Sequence, residues 1–473
     1  MEFWSYPPAF DPGYRPDPKS RYWFPVRETM PAAEREKAIL ARLREVMTYA
    51  YARAPFYRRK WDEAGVHPDR IRSLEDFERV PVVTKAELRA AQERKPPFGD
   101  YLCIPESEIH HIHGTSGTTG RPTMFAIGRD DWRSIAEAQA RVMWGMGLRP
   151  GDMVFIGSVF SLYMGSWGTL IGSERLGAKT FPFGAGAPGM SARAALWLKL
   201  TRPKAFYGTP SYALHLAEVA ADEGMNPREF GLELLFFSGE PGGSIPSIKA
   251  RIESLYGAQV IDCGTMAEMS PWMNAAGTKE TPGMMLWQDF VYTEVCDPKT
   301  HARVPYGKQG TPIYTHLERT SQPMIRLLSN DLTHWTDEPN PCGRTYPRLP
   351  AGIYGRIDDM FTIRGENVYP SAIDSALNEI AGYGGEHRIV ISRDGAMDEL
   401  LVRLDATEAL YRAGAGALDD LRRRTEDKLR TVLGVRARAE VVAAGVIPRT
   451  DFKARRVIDD RDLFRSLKQT LGG

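Results

Sequence analysis

The chain has 473 residues, too long for one ordinary hydrophobic core, so at least two domains are expected. Its 61 Lys and Arg balance 60 Asp and Glu to a formal +1, so no whole-molecule field draws nucleic acid or an anionic membrane, and any bound anion must be held locally. The four cysteines, Cys103, Cys263, Cys296 and Cys342, are far apart and form no Cys-x-x-Cys pair, which argues against a disulfide scaffold or zinc knuckle and fits a reducing cytoplasm.

The first 25 residues are rich in Pro and aromatics, with no basic start and apolar core, and so do not read as a secretory signal. No uninterrupted apolar run approaches a membrane span. Over 32–64 apolar positions recur at helical spacing; Pro81-Val82-Val83-Thr84-Lys85 then breaks the pattern before another short helix. In the middle of the chain, short apolar segments at 153–156, 179–183, 234–237 and 259–261 alternate with helical stretches at 134–142 and 244–255. This predicts a mostly parallel sheet covered by helices. After Gly355 the order changes to a strand at 360–364, a helix at 371–380, strands at 387–392 and 400–404, and a basic helix at 418–432. The expected fold is α/β, with a large N-terminal domain of mixed, mostly parallel sheets (1–357) and a small mobile α+β C-terminal domain (358–473).

The densest chemical signal is His113-Gly114-Thr115-Ser116-Gly117-Thr118-Thr119-Gly120-Arg121-Pro122, after a strand-like 109–113. Glycines let backbone amides approach anionic oxygens, hydroxyls add donors and Arg121 adds charge, which suits a polyphosphate; a flexible surface loop is the plain alternative. The Gly-Lys-Ser/Thr ending of a Walker loop is absent.

That string resembles the phosphate-binding loop of the acyl-adenylate-forming superfamily of acyl-CoA synthetases, adenylation domains and luciferases. Further motifs follow in the family's order. Ser238-Gly239-Glu240-Pro241 and Cys263-Gly264-Thr265-Met266-Ala267-Glu268 resemble the segments that enclose adenine, which implies a magnesium-linked role for Glu268. Arg326-Leu327-Leu328-Ser329-Asn330-Asp331 resembles the segment whose Asp holds the ribose, and Gly355-Arg356-Ile357-Asp358-Asp359 the hinge, with Asp358 as pivot and Arg356 on the nucleotide. Arg364 and Gly365 open a loop similar to the one facing coenzyme A, and Pro448-Arg449-Thr450-Asp451-Phe452-Lys453 resembles the motif whose Lys reaches the reacting carboxylate. Ala54-Pro55-Phe56-Tyr57, Pro81 to Lys85 and Cys342 to Arg348 resemble the phenylacetate-CoA ligase branch in particular. The sequence departs from the superfamily where Cys263-Gly264-Thr265-Met266-Ala267-Glu268 lacks the usual Tyr and the Thr before the Glu, and where Phe452 replaces a Gly.

The resemblance implies an ATP-dependent ligase that joins an aromatic acid to coenzyme A through an acyl-AMP, with magnesium. Phe160, Tyr163 and Trp167, with Gly264, are the expected acid pocket; three aromatics at spacings of three and four are equally the core stripe of one helix. A carrier-protein thiol in place of coenzyme A, an inactive nucleotide-binding homologue, and a homodimer stay open. A dinucleotide oxidoreductase is the outside alternative: Gly184-Ala185-Gly186-Ala187-Pro188-Gly189 fits G-x-G-x-x-G, but Pro188 sits where amide donors belong. His111 and His113 lack a third metal ligand and read as packing or site-lining residues. Arg422, Arg423 and Arg424 read as a solvated face, with a coenzyme A phosphate contact as the alternative.

Overall fold

A computed structural model describes residues 6–8, 11–115, 123–184, 189–357, 361–363, 366–394, 397–448 and 456–459. The opening layer is helical. Helix α1 (Ala32–Arg53) buries Ile39, Leu43, Val46, Met47 and Ala50 along one stripe, and Pro55 ends it by starting α2 (Pro55–Glu63). The single helical tract expected over 32–64 is therefore two helices, with Ala54 extended between them. Thr84 caps α3 (Lys85–Arg94) in a reciprocal box with Glu87. Just before it, the Val83 N–H donates to Arg326 O at 2.8 Å and Val83 O accepts from Leu328 N–H at 2.9 Å, stitching the opening layer to a distant segment.

Strands β1 (Ile109–Gly114) and β2 (Met124–Gly128) form an antiparallel hairpin, followed by α4 (Arg129–Gly145). The chain then winds through β3 (Met153–Ile156), α5 (Met164–Leu176), β4 (Lys179–Phe181), α6 (Met190–Thr201), β5 (Ala205–Gly208), α7 (Pro210–Asp222), β6 (Leu234–Phe237), α8 (Pro246–Tyr256) and β7 (Gln259–Asp262). These strands form a parallel sheet in the order β4-β3-β5-β6-β7. Alternate residues serve two cores: Val154, Ile156, Tyr207 and Phe236 pack with the opening layer, whereas Phe155, Phe206, Leu235 and Phe237 pack under α6, α7 and α8. Burial on both faces is why these strands are continuous apolar runs. Helix α5 lies close against α4 because Gly172 has no side chain; a Cβ there would stand 2.5 Å from Gln139 Cβ.

An antiparallel sheet follows, with β8 (Val291–Cys296), β9 (Gln309–His316), β10 (Leu327–Leu328), β11 (Asp331–His334) and β12 (Gly355–Arg356) in the order β8-β9-β11-β12, and β10 also on β9. The sequence reading did not anticipate it. Thr293, Glu294, Thr311 and Thr315 are buried within its strands, so its inward face does not read as apolar. From Phe361 onward come a hairpin of Phe361–Ile363 with Glu366–Val368, helix α9 (Pro370–Asn378), strands β13 (Tyr383–Asp394) and β14 (Met397–Ala406), helix α10 (Ala415–Leu433), and strands β15 (Arg438–Val442) and β16 (Val457–Asp459). The last four strands form a mixed sheet in the order β15-β14-β13-β16. They share a hydrophobic cluster made only of residues from Phe361 onward. The molecule is thus α/β with a mostly parallel central sheet and a C-terminal α+β unit. Among the described residues no helix is long and apolar enough to cross a membrane.

Candidate active site

In a parallel sheet of this order, the connections leave β3 and β5 in opposite directions and open a crevice at their carboxyl ends, the usual place for a ligand. The loop after β3 supplies Phe160 and Tyr163. The Tyr163 hydroxyl lies 3.0 Å from both Tyr207 Oη and Ser238 Oγ, and the latter two are 2.7 Å apart, so three hydroxyls from three successive strand ends form one cluster. Burial pushes both phenols up, which keeps them neutral donors. Phe160 and Trp167 meet edge to face at 5.3 Å, and the Trp167 indole N–H donates to Ser161 O at 2.8 Å. Of the three aromatics only Trp167 lies within α5, so they are not a core stripe of one helix. Gly264, at φ +96°, closes the wall: a Cβ there would stand 2.7 Å from the Trp272 ring and 2.8 Å from Ser238 Cβ. The Trp272 indole N–H and the Gln139 amide are buried without hydrogen-bond partners among the described residues, and both converge on Gly168 of α5.

Beside this cluster lie the segments expected to enclose a nucleotide. Ser238, Gly239, Glu240 and Pro241 follow β6; Gly239 has φ +94°, and the Glu240 carboxylate accepts the Ser211 N–H at 2.7 Å while burial raises its pKa. Cys263, Gly264, Thr265 and Met266 follow β7. The Gly264 N–H donates to Ala275 O at 2.8 Å, the Thr265 N–H to Trp272 O at 3.0 Å, and the Thr265 hydroxyl to Asn274 Oδ1 at 2.5 Å. Thr115 closes the mouth of the β1–β2 hairpin, its N–H donating to Thr123 O and its hydroxyl accepting from Thr123 N–H. Ser116, Gly117, Thr118, Thr119 and Gly120 lie outside the described residues.

The Glu268 carboxylate is 1% exposed, and neither oxygen has a hydrogen bond among the described residues; Lys85 Nζ stands 3.2 Å from Oε1. A buried carboxylate with uncommitted oxygens suits a hard cation such as Mg²⁺. Asp331 opens β11, its N–H bonded to Ser329 Oγ at 3.0 Å and its carboxylate 3.4 Å from Arg356 Nη1 on the paired strand β12. Asn330 before it has φ +61°, a conformation Asn tolerates.

Asp358, Arg364, Gly365 and Lys453 lie outside the described residues, but both flanks of the lysine motif are placed. Pro448 O accepts from Arg388 at 2.7 Å, and Arg456 pairs with Glu386 at 3.1 Å and Asp374 at 3.3 Å; Arg388 and Glu386 both belong to β13. His111 stacks on Trp132 at 3.8 Å and His113 at 5.7 Å, and no metal-holding group of His, Cys, Asp or Glu occurs among the described residues. Arg422, Arg423 and Arg424 pair with Asp419, Asp420 and Glu426 on their own helix, as a solvated face does. Within the glycine-rich 184–189, Gly184 and Gly189 have positive φ and Gly189 caps α6, while 185–188 lie outside the described residues. The sequence reading missed Tyr207, Gln139, Trp272 and Lys85 as members of the site. A tyrosine at the end of an otherwise apolar strand was the available signal for Tyr207.

Residues 365–461 match the family described as AMP-binding enzyme C-terminal domain. The phenylacetate-coenzyme A ligase of Thermus thermophilus is 34% identical, covering 92% of this chain and 99% of its own length. A solved 2-hydroxyisobutyryl-CoA ligase, in the postadenylation state with 2-HIB-AMP, is 67% identical with a TM-score of 0.95 over 100% of this chain and 99% of its own. The same ligase with 2-HIB-AMP and CoA in the thioesterification state scores 0.76 at equal identity and coverage. Since sequence and coverage are the same, the two scores differ through the relative placement of parts.

Proposed function

The chain belongs to the phenylacetate-CoA ligase family and is an acid–thiol ligase that works through an acyl-AMP, and on that premise we propose how its residues divide the work and which acid they take. ATP and coenzyme A are the co-substrates. In the first half-reaction the acid's carboxylate attacks the α-phosphorus, giving acyl-AMP and pyrophosphate; in the second, a thiol displaces AMP. Thr115 to Gly120 and Lys453 face charge that develops on the phosphoryl oxygens. Asp331 and Arg356 hold the ribose, and residues 238–241 and 263–266 flank the base. Glu268 would hold Mg²⁺, which supplies charge neutralisation on the polyphosphate. Residues 358–473 form a domain that turns about Asp358, bringing Arg364 and Gly365 to coenzyme A in a cytoplasmic enzyme.

For the acid, the observation that carries the reading is the buried Tyr163–Tyr207–Ser238 hydroxyl cluster with the unpartnered Gln139 amide and Trp272 indole beside it. Set against a bare hydrocarbon ring, each unpaired buried polar group costs about 1 to 3 kcal/mol. A small aliphatic acid bearing a hydroxyl pairs with them, in keeping with the 2-hydroxyisobutyryl-CoA ligase at 67% identity. An aryl acid is the second reading, favoured by the Phe160–Trp167 pair. Acid-dependent pyrophosphate release over short 2-hydroxy acids, their deoxy analogues, benzoates and arylacetates decides between them. Preference for benzoates or arylacetates would overturn the hydroxy-acid reading, and a carrier-protein arm in the second step tests the thiol.

A further inference from the structure

Lys85 is held in place by more than its ion pair. The Thr84 cap and the Val83 stitch to Arg326 and Leu328 fix its backbone. Its neighbour Glu87 is already engaged by Thr84 and Lys60 and so does not draw the ammonium away. Its side chain is 30% exposed while that of Glu268 is 1% exposed, so the lysine reaches solvent from a carboxylate that does not. Among the described residues it is the basic group within ion-pair distance of Glu268. A buried carboxylate stabilised by a charge alone, with no hydrogen bonds to it, can exchange that charge for another without orphaning a donor. The flexible four-carbon stem lets the ammonium move once released.

We propose that Lys85 is a positioning residue that neutralises Glu268 in the nucleotide-free protein and yields it to the divalent cation arriving with ATP, its own ammonium passing to the polyphosphate oxygens. The proposal rests on Glu268 being the metal-linked carboxylate. It makes metal and nucleotide binding mutually reinforcing through the lysine, since each frees or engages the group the other needs.

The test measures Mn²⁺ binding to the nucleotide-free full chain by electron paramagnetic resonance, then the affinity for α,β-methylene-ATP with and without Mn²⁺. Lys85→Met should bind free Mn²⁺ on the order of tenfold more tightly than wild type, and the gain in analogue affinity on adding Mn²⁺ should shrink by a similar factor. Lys85→Arg, which keeps the charge, should stay close to wild type in the free-metal arm. A purely structural lysine would not tighten metal binding. If Glu268→Gln loses Mn²⁺ while Lys85→Met binds it no better than wild type, the exchange is overturned and the metal reading stands. If Glu268→Gln binds Mn²⁺ as wild type does, the metal reading fails and the exchange with it.

Discussion

Tyr163 offers the sharpest substitution, because its hydroxyl joins Tyr207 and Ser238 without being needed for the fold of α5, which it precedes. Tyr163→Phe should lower kcat/KM for a 2-hydroxy acid about tenfold, the worth of one buried hydrogen bond of about 1.4 kcal/mol. The deoxy analogue should lose little. Equal losses for both acids would place the hydroxyl elsewhere. Lys453→Ala should cut acid-dependent pyrophosphate release by roughly a hundredfold or more while sparing conversion of supplied acyl-AMP, since on the proposed domain rotation the lysine is swung away from the site in the second step. His113 makes a different prediction. Burial holds its pKa down to about 4, so below the ordinary value of about 6.5 the unfolded chain binds a proton that the native chain refuses. Stability therefore rises with pH across that window, and urea melts of His113→Phe should show a shallower rise than wild type between those limits.

Among the elements, α5 shows two opposing magnitudes. Gly172→Ala would gain up to about 1 kcal/mol in helix propensity, but the added Cβ meets Gln139 Cβ at 2.5 Å and the Ala140 backbone at 3.3 Å, neither a flexible tip. Overpacking costs about 1 to 3 kcal/mol, so net destabilisation is expected in urea unfolding, with a raised KM for the acid because α5 carries Trp167. The elements legible beforehand were those with continuous apolar strands, such as Met153–Ile156 and Leu234–Phe237, whose observed bounds match the reading. The antiparallel sheet was not, because polar residues such as Glu294, paired with Arg326 at 3.2 Å, occupy its interior. The motif segments around Ser238, Gly264 and Asp331 were legible because their residue order is demanding. Tyr207, Gln139 and Trp272 were not, since only the winding of the sheet brings strand end, helix and loop to one point.

At the scale of the molecule, the contrast between TM-scores of 0.95 and 0.76 against two states of one ligase motivates a test of the proposed domain rotation. Asp358→Pro fixes φ at about −65° at the proposed pivot, so thioester formation should fall far more than adenylation. Equal losses in both would remove Asp358 from that role. In the present arrangement α8 meets α9 through the Arg251–Asn378 hydrogen bond at 3.3 Å, one of the contacts that the proposed rotation would have to break.

The anchoring of both flanks of 449–455 to β13 bears on how such a ligase can evolve. A tether from Arg388 to Pro448 and another from Glu386 to Arg456 tie both ends of the segment to one strand, which would carry the proposed catalytic lysine with it. Replacements between the tethers, Phe452 among them, would on that reading leave the tethers themselves in place. If Lys453 serves the first half-reaction and the domain turns as proposed, drift in the loop is uncoupled from drift in that rotation, and a lineage could retune one half-reaction while leaving the exchange between the two intact.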